Sequence, residues 1–127
     1  MFPKPKHKRR VPKQKQRNAI TTPEYQKAID YFGECCYICG LRPIEMHHVT
    51  FRSAQGRGVY RNLMPLCNHH HTKAHKDRDF ANYLRELKVE VFGIHYYKDR
   101  YDLHDEGLID EPTEQEYEEF MKSEELK

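Results

Sequence analysis

Four residues constrain this chain more than anything else in it: the pairs Cys36-x2-Cys39 and Cys67-x2-His70. Each pair has the two-residue spacing at which a tight turn offers two ligands to one ion, and Gly40 after the first pair permits a positive φ. Together they form a Cys3His set, one of the closed ligand sets of structural Zn2+. Only 37% of the 127 residues are hydrophobic and none is tryptophan. A core this thin leaves room for a metal staple to decide the fold. Cys35 is left over; it can replace Cys36, although the spacing favours Cys36. No apolar leader follows Met1, and no run approaches the ~20 apolar residues of a membrane span. The expectation is an intracellular, cytoplasmic protein with no membrane partner, where cysteines serve metals or catalysis rather than disulfides.

A second group of ligands remains. Residues 44–75 hold six of the nine histidines. His71 and His75 stand four apart, on one face of the helix that "HHHTKAHKD" should start, where two imidazoles can share a metal. His47 and His48 are adjacent on the predicted strand "IEMHHV", so their side chains leave it on opposite sides. One can ligate while the other works beside the ion. Three histidines with open coordination positions have the character of a catalytic site. His69 reads as a bystander or a helper near the zinc. His95 and His104 are isolated and read as surface or core residues.

The remaining elements follow from pattern. "TTPEYQKAIDYFG" predicts a helix capped by Thr22, with Pro23 at its first position, Gly33 at its end, and Tyr25, Ala28, Ile29 and Phe32 on its buried face. "NLMPLC" predicts a second strand, with Pro65 arguing for an edge. Asp77 or Asp79 can cap an amphipathic helix that buries Phe80, Tyr83, Leu84, Leu87 and Val91 and stops at Gly93. A further short helix is expected to end at Gly107, and Thr113-x-x-Glu116 marks the start of a last, acidic one. Charge divides the chain. Residues 1–17 carry eight Lys and Arg and no acid, whereas residues 105–127 carry ten Asp and Glu against two Lys. The organisation expected is a flexible basic arm over 1–20, a central domain over 21–104, and a solvated acidic helical tail over 105–127. The arm suits nucleic acid, through Lys8, Arg9 and Arg10 among others.

The order His47-His48, Asn62, His71, set inside the Cys-x2-Cys … Cys-x2-His frame, resembles the HNH endonucleases. The resemblance spans Cys36 to His75, about a third of the chain. It implies an α+β fold: a small ββα-metal (His-Me finger) core stapled by zinc and flanked by helices. It implies a metal-dependent DNA endonuclease or nickase of low intrinsic sequence specificity, leaving a 5′-phosphate and a 3′-hydroxyl. By the same resemblance His48 is the general base and Asn62 holds the loop. His47, His71 and His75 hold one catalytic divalent ion, Mg2+, Mn2+, Ni2+ or Zn2+. More loosely, the basic leader and the "HHV…RS…G" loop resemble phage and prophage HNH proteins, including RecA-dependent recombination-enhancement nucleases. That likeness implies DNA as partner, with a recombinase filament or a packaging motor beside it. Two features depart from the common pattern: His70 stands where a fourth cysteine is more usual, and the catalytic set is all imidazole. Arg52, Arg57 and Arg61, in or near the loop between the strands, are candidate phosphate contacts. The rival reading is a zinc-stapled DNA-binding module that does not cut. Deleting residues 1–17 should weaken DNA binding and flatten its salt dependence, and an unchanged slope would reduce the arm to a leader.

Overall fold

The structure is a computed structural model that describes residues 11–125. Lys8, Arg9 and Arg10 lie outside the described residues. Two strands, β1 (Ile44–His48) and β2 (Leu63–Cys67), pair antiparallel, with Ile44 opposite Cys67 and His48 opposite Leu63. Among the described residues six α-helices pack around them: α1 (Gln14–Asn18), α2 (Thr22–Phe32), α3 (Asn68–Lys76), α4 (Arg78–Phe92), α5 (Arg100–Asp105) and α6 (Glu114–Glu125). The class is α+β, with strand, loop, strand and helix in the expected succession. No helix among the described residues is long and apolar enough to cross a membrane.

Every residue of β2 is buried. Its outer side is covered in part by the Cys-x2-Cys turn, where Tyr37 N–H donates to the Pro65 carbonyl at 2.9 Å. Around β2 gathers the main core, with Val49, Met64, Leu66, Ala74, Leu84, Phe92 and Tyr96, and with Cys36 and Cys67 among them. A smaller core of Leu103, Ile109, Tyr117 and Met121 joins α5 to α6.

Helix ends follow local chemistry, with one shift. Thr21, not Thr22, caps α2, its Oγ1 accepting from Glu24 N–H, and Gly33 ends the helix at a φ of 89°. Asp77 caps α4 by accepting from the N–H groups of Asp79 and Phe80, an arrangement that stabilises by about 1 kcal/mol. The buried face of α4 differs from the one its hydropathy suggests. Ala81, Leu84, Lys88 and Phe92 point inward, while Tyr83 and Val91 are exposed. Lys88 belongs there because its ammonium donates to the Leu63 carbonyl at 2.5 Å and lies 3.8 Å from the centre of the Phe32 ring. Burial pushes its pKa well down.

Both charged ends are corrected by the packing. Arg17 and Asn18, assigned above to a flexible arm, belong to the folded body. Arg17 forms paired bonds to Asp99 at 2.7 and 2.8 Å, and Asn18 is 4% exposed. A truncation that tests the basic arm must therefore stop short of Arg17 and Asn18. The acidic segment is no solvated tail either, since α6 buries Tyr117 and Met121. Glu118 and Glu125 of α6 bind Arg61, which is 1% exposed. Arg57, 4% exposed, is held by Asp102 and Asn18. Neither arginine is available to a phosphate, because each is already satisfied inside the protein. Arg61→Ala leaves Glu118 and Glu125 without their cation and should destabilise the fold by about 3 kcal/mol, read from chemical denaturation.

Candidate metal centres and the histidine cleft

The first centre lies where the Cys-x2-Cys turn meets the end of β2. The ligand atoms of Cys36, Cys39, Cys67 and His70 all fall within 4.8 Å of one another. Cys67 Sγ is 3.3 Å from His70 Nδ1, Cys36 Sγ is 3.6 Å from the same nitrogen, and Cys39 Sγ is 3.7 Å from Cys67 Sγ. Cys36, rather than Cys35, supplies the ligand. Burial would raise its thiol pKa, but backbone N–H groups of Cys67, Cys39 and Ile38 outweigh burial and bring it down to about 6. A thiolate that forms this readily is ready for a cation. Three sulfurs and one imidazole around a common point fit a tetrahedral ion such as zinc.

The second centre is a cleft floored by β1 and walled by α3 and the loop after β1. His47, His71 and His75 bring one nitrogen each within 4.8 Å of the others, and the Nε2 atoms of His71 and His75 are 3.3 Å apart. His47 is 1% exposed, and neither ring nitrogen has a hydrogen-bond partner. Burial, then the neighbouring His71 and His75, push its pKa down to about 3, so the ring stays neutral. A buried imidazole without a partner is costly unless its lone pair meets a cation, and two more imidazoles converge on the same point. These residues fit a divalent ion.

Several residues that sequence reasoning passed over support this set. Glu45 Oε2 accepts from His71 Nδ1 at 2.9 Å, which leaves Nε2 as the free lone pair on the side of His75. The alternation of β1 puts Glu45 on the same face as His47, a signal available in "IEMHH". Phe51 stacks on His75 at 5.0 Å between ring centres, and the Arg85 guanidinium lies over the Phe51 ring, 4.8 Å from its centre. These contacts depend on tertiary packing and have no mark in sequence.

His48 lines the same cleft as His47, with Arg52 exposed at its rim. His48 Nε2 lies 2.7 Å from the Asn18 carbonyl. A carbonyl has no proton to give, so Nε2 carries it and the neutral ring keeps its lone pair on Nδ1. Burial lowers the pKa of His48, against the opposing pull of that carbonyl. Asn62, fully buried, closes the loop. Its Oδ1 accepts from Thr50 N–H at 2.8 Å, and its Nδ2 donates to the carbonyls of Arg57 and Thr50 at 2.9 and 3.1 Å. The structure thus gathers His47, His48, His71, His75 and Arg52 at one cleft. Asn62 stands behind it, and Arg57 and Arg61 face elsewhere.

Two substitutions separate the centres. Cys36→Ser should lower the melting temperature and remove one equivalent of tightly held zinc. Glu45→Gln should leave the melting temperature of the zinc-loaded protein unchanged while weakening divalent-ion binding at the cleft by about tenfold, read by calorimetry. Equal effects of both on the melting temperature would mean that the centres are not independent. Compared with known proteins, the chain matches no family model, no curated protein and no solved structure, so the chemistry of the two centres rests on their own geometry.

Proposed function

We propose that this protein is a metal-dependent DNA endonuclease or nickase of the HNH kind, its β1–loop–β2–α3 unit being a ββα-metal core. One observation carries the reading. A buried histidine with no partner, His47, converges with His71 and His75, while a fourth histidine in the same cleft has its proton fixed away from its free nitrogen. A binding module has no use for that second arrangement.

In this reading a phosphodiester lies along the cleft. His48 Nδ1 takes a proton from the water that attacks phosphorus, which a neutral imidazole can do near cellular pH. The P–O3′ bond breaks as the new P–O bond forms, and the departing O3′ takes a proton from solvent water, giving a 5′-phosphate and a 3′-hydroxyl. A divalent ion on His47, His71 and His75 supplies a Lewis acid for the charge that builds on the phosphoryl and leaving oxygens. An all-imidazole set favours Mn2+, Ni2+, Co2+ or Zn2+ over Mg2+. Arg52, exposed at the rim of the cleft, offers a cation to the adjoining phosphate. Contacts of this type read the backbone, so sequence specificity is low. The zinc ion on Cys36, Cys39, Cys67 and His70 is structural. Phage or prophage DNA metabolism inside the cell, beside a recombinase filament or a packaging motor, is the setting that fits a nuclease of low specificity.

The test is supercoiled plasmid incubated with zinc-loaded protein and added Mg2+, Mn2+, Ni2+ or Zn2+, alongside His48→Ala. The wild type should give relaxed or linear DNA with at least one added metal. His48→Ala should lose about 100-fold or more in rate while binding DNA and metal as before. DNA binding with no product under any metal would favour the zinc-stapled DNA-binding module instead.

A further inference from the structure

The carbonyl that meets His48 belongs to a segment far from the ligand frame, and that segment is held with unusual thoroughness. The Asn18 side chain is bonded at both ends: Nδ2 donates to the Arg52 carbonyl at 3.2 Å, and Oδ1 accepts from Arg57 Nη1 at 2.9 Å. Arg57 in turn places Nε and Nη2 on the two oxygens of Asp102, both at 2.9 Å. Arg17, one residue before Asn18, bridges Asp99 and Asp102 with three bonds of 2.7 to 2.8 Å. The Arg17 carbonyl accepts from Gly58 N–H at 3.0 Å. A Cβ at Gly58 would collide with the Ala19 carbonyl, so the backbone after Asn18 packs against the loop with no space between them. The two aspartates are fixed as well, since they form the reciprocal cap at the start of α5.

None of this is needed to bury apolar surface. Asn18, Arg17 and Arg57 are polar, and α1 is a five-residue helix with no other buried residue. Within the cleft the network holds the Arg52 backbone and sets a carbonyl oxygen at a fixed place 2.7 Å from His48 Nε2. We propose that Asn18 is a positioning residue of the cleft: its carbonyl fixes the ring orientation and the proton of His48, and the Arg17–Arg57–Asp99–Asp102 clamp holds that carbonyl in place. The importance of this for catalysis rests on the nuclease reading, but the effect on His48 does not.

The experiment uses the zinc-loaded full chain, labelled with 15N in its histidine rings, with the His48 signal assigned by comparison with His48→Ala. The wild type should show His48 as a single Nε2–H tautomer. Asn18→Ala removes both side-chain anchors and leaves the carbonyl, so the His48 signal should move toward a mixture of tautomers. For cleavage, kcat should fall by about 100-fold, the scale of a misplaced group, while KM and metal affinity stay within twofold. Should Asn18→Ala fail to fold, an amide-to-ester replacement between Asn18 and Ala19 keeps every side chain and weakens the carbonyl as an acceptor. A synthetic segment joined at Cys35 makes that variant accessible. Its Nε2–H resonance should move upfield. An unchanged His48 spectrum in the folded variant overturns the proposal. So does a parallel loss of kcat, KM and metal affinity, which would make the clamp merely structural. A shifted spectrum with no cleavage even by the wild type would uphold the positioning and remove the nuclease reading.

Discussion

Three sulfurs and one imidazole nitrogen, drawn from the Cys-x2-Cys turn and from the β2–α3 junction about thirty residues later, meet at the edge of the main core. The rest depends on that convergence. Cys36 and Cys67 are core residues as well as candidate ligands, packed with Met64, Leu66 and Ala74. β2 runs directly into this centre, and α3 starts from it. The position of α3 then decides where His71 and His75 stand relative to His47. A displacement at the cysteine cluster would therefore reach the histidine cleft along one rigid path, with no separate element to absorb it.

Much of the cleft was legible because its residues obey short-range geometry. An i, i+4 pair of histidines must share a helix face, and a histidine pair beside a strand end must stand near its partner strand. The spacing of the cysteines needs no tertiary knowledge either. What stayed hidden was set by partners distant in sequence. Arg57 and Arg61 have the composition of phosphate ligands, and nothing in the loop marks them as internal. Only the arrival of Asp102, Glu118 and Glu125 makes them so. Lys88 misleads hydropathy in the same way, because a single carbonyl and two aromatic rings make an inward lysine acceptable.

The uneven distribution of charge along the chain takes on a different meaning in the folded molecule. Basic residues of the N-terminal half and acidic residues of the C-terminal half look, in sequence, like ends destined for different partners. In the structure Arg17, Arg57 and Arg61 face Asp99, Asp102, Glu118 and Glu125 across the body of the protein. Part of the apparent polarity is thus internal complementarity. These pairs are partly or wholly withdrawn from solvent, so salt screens them less than it screens the exposed cations around the cleft.

The bond between Arg17 and Asp99 closes a span of 82 residues. On a ribosome, the segment bearing Asn18 is complete long before the helix that holds it has been made. Its clamp is complete only once Asp99 and Asp102 at the start of α5 and the loop carrying Arg57 are in place. The candidate ligand frame is drawn from residues 36–75, whereas the clamp behind the His48 contact draws on residues 17 to 102. Order of synthesis and order of completion run in opposite directions, and the contact to His48 stays unclamped until Asp99 and Asp102 have been added.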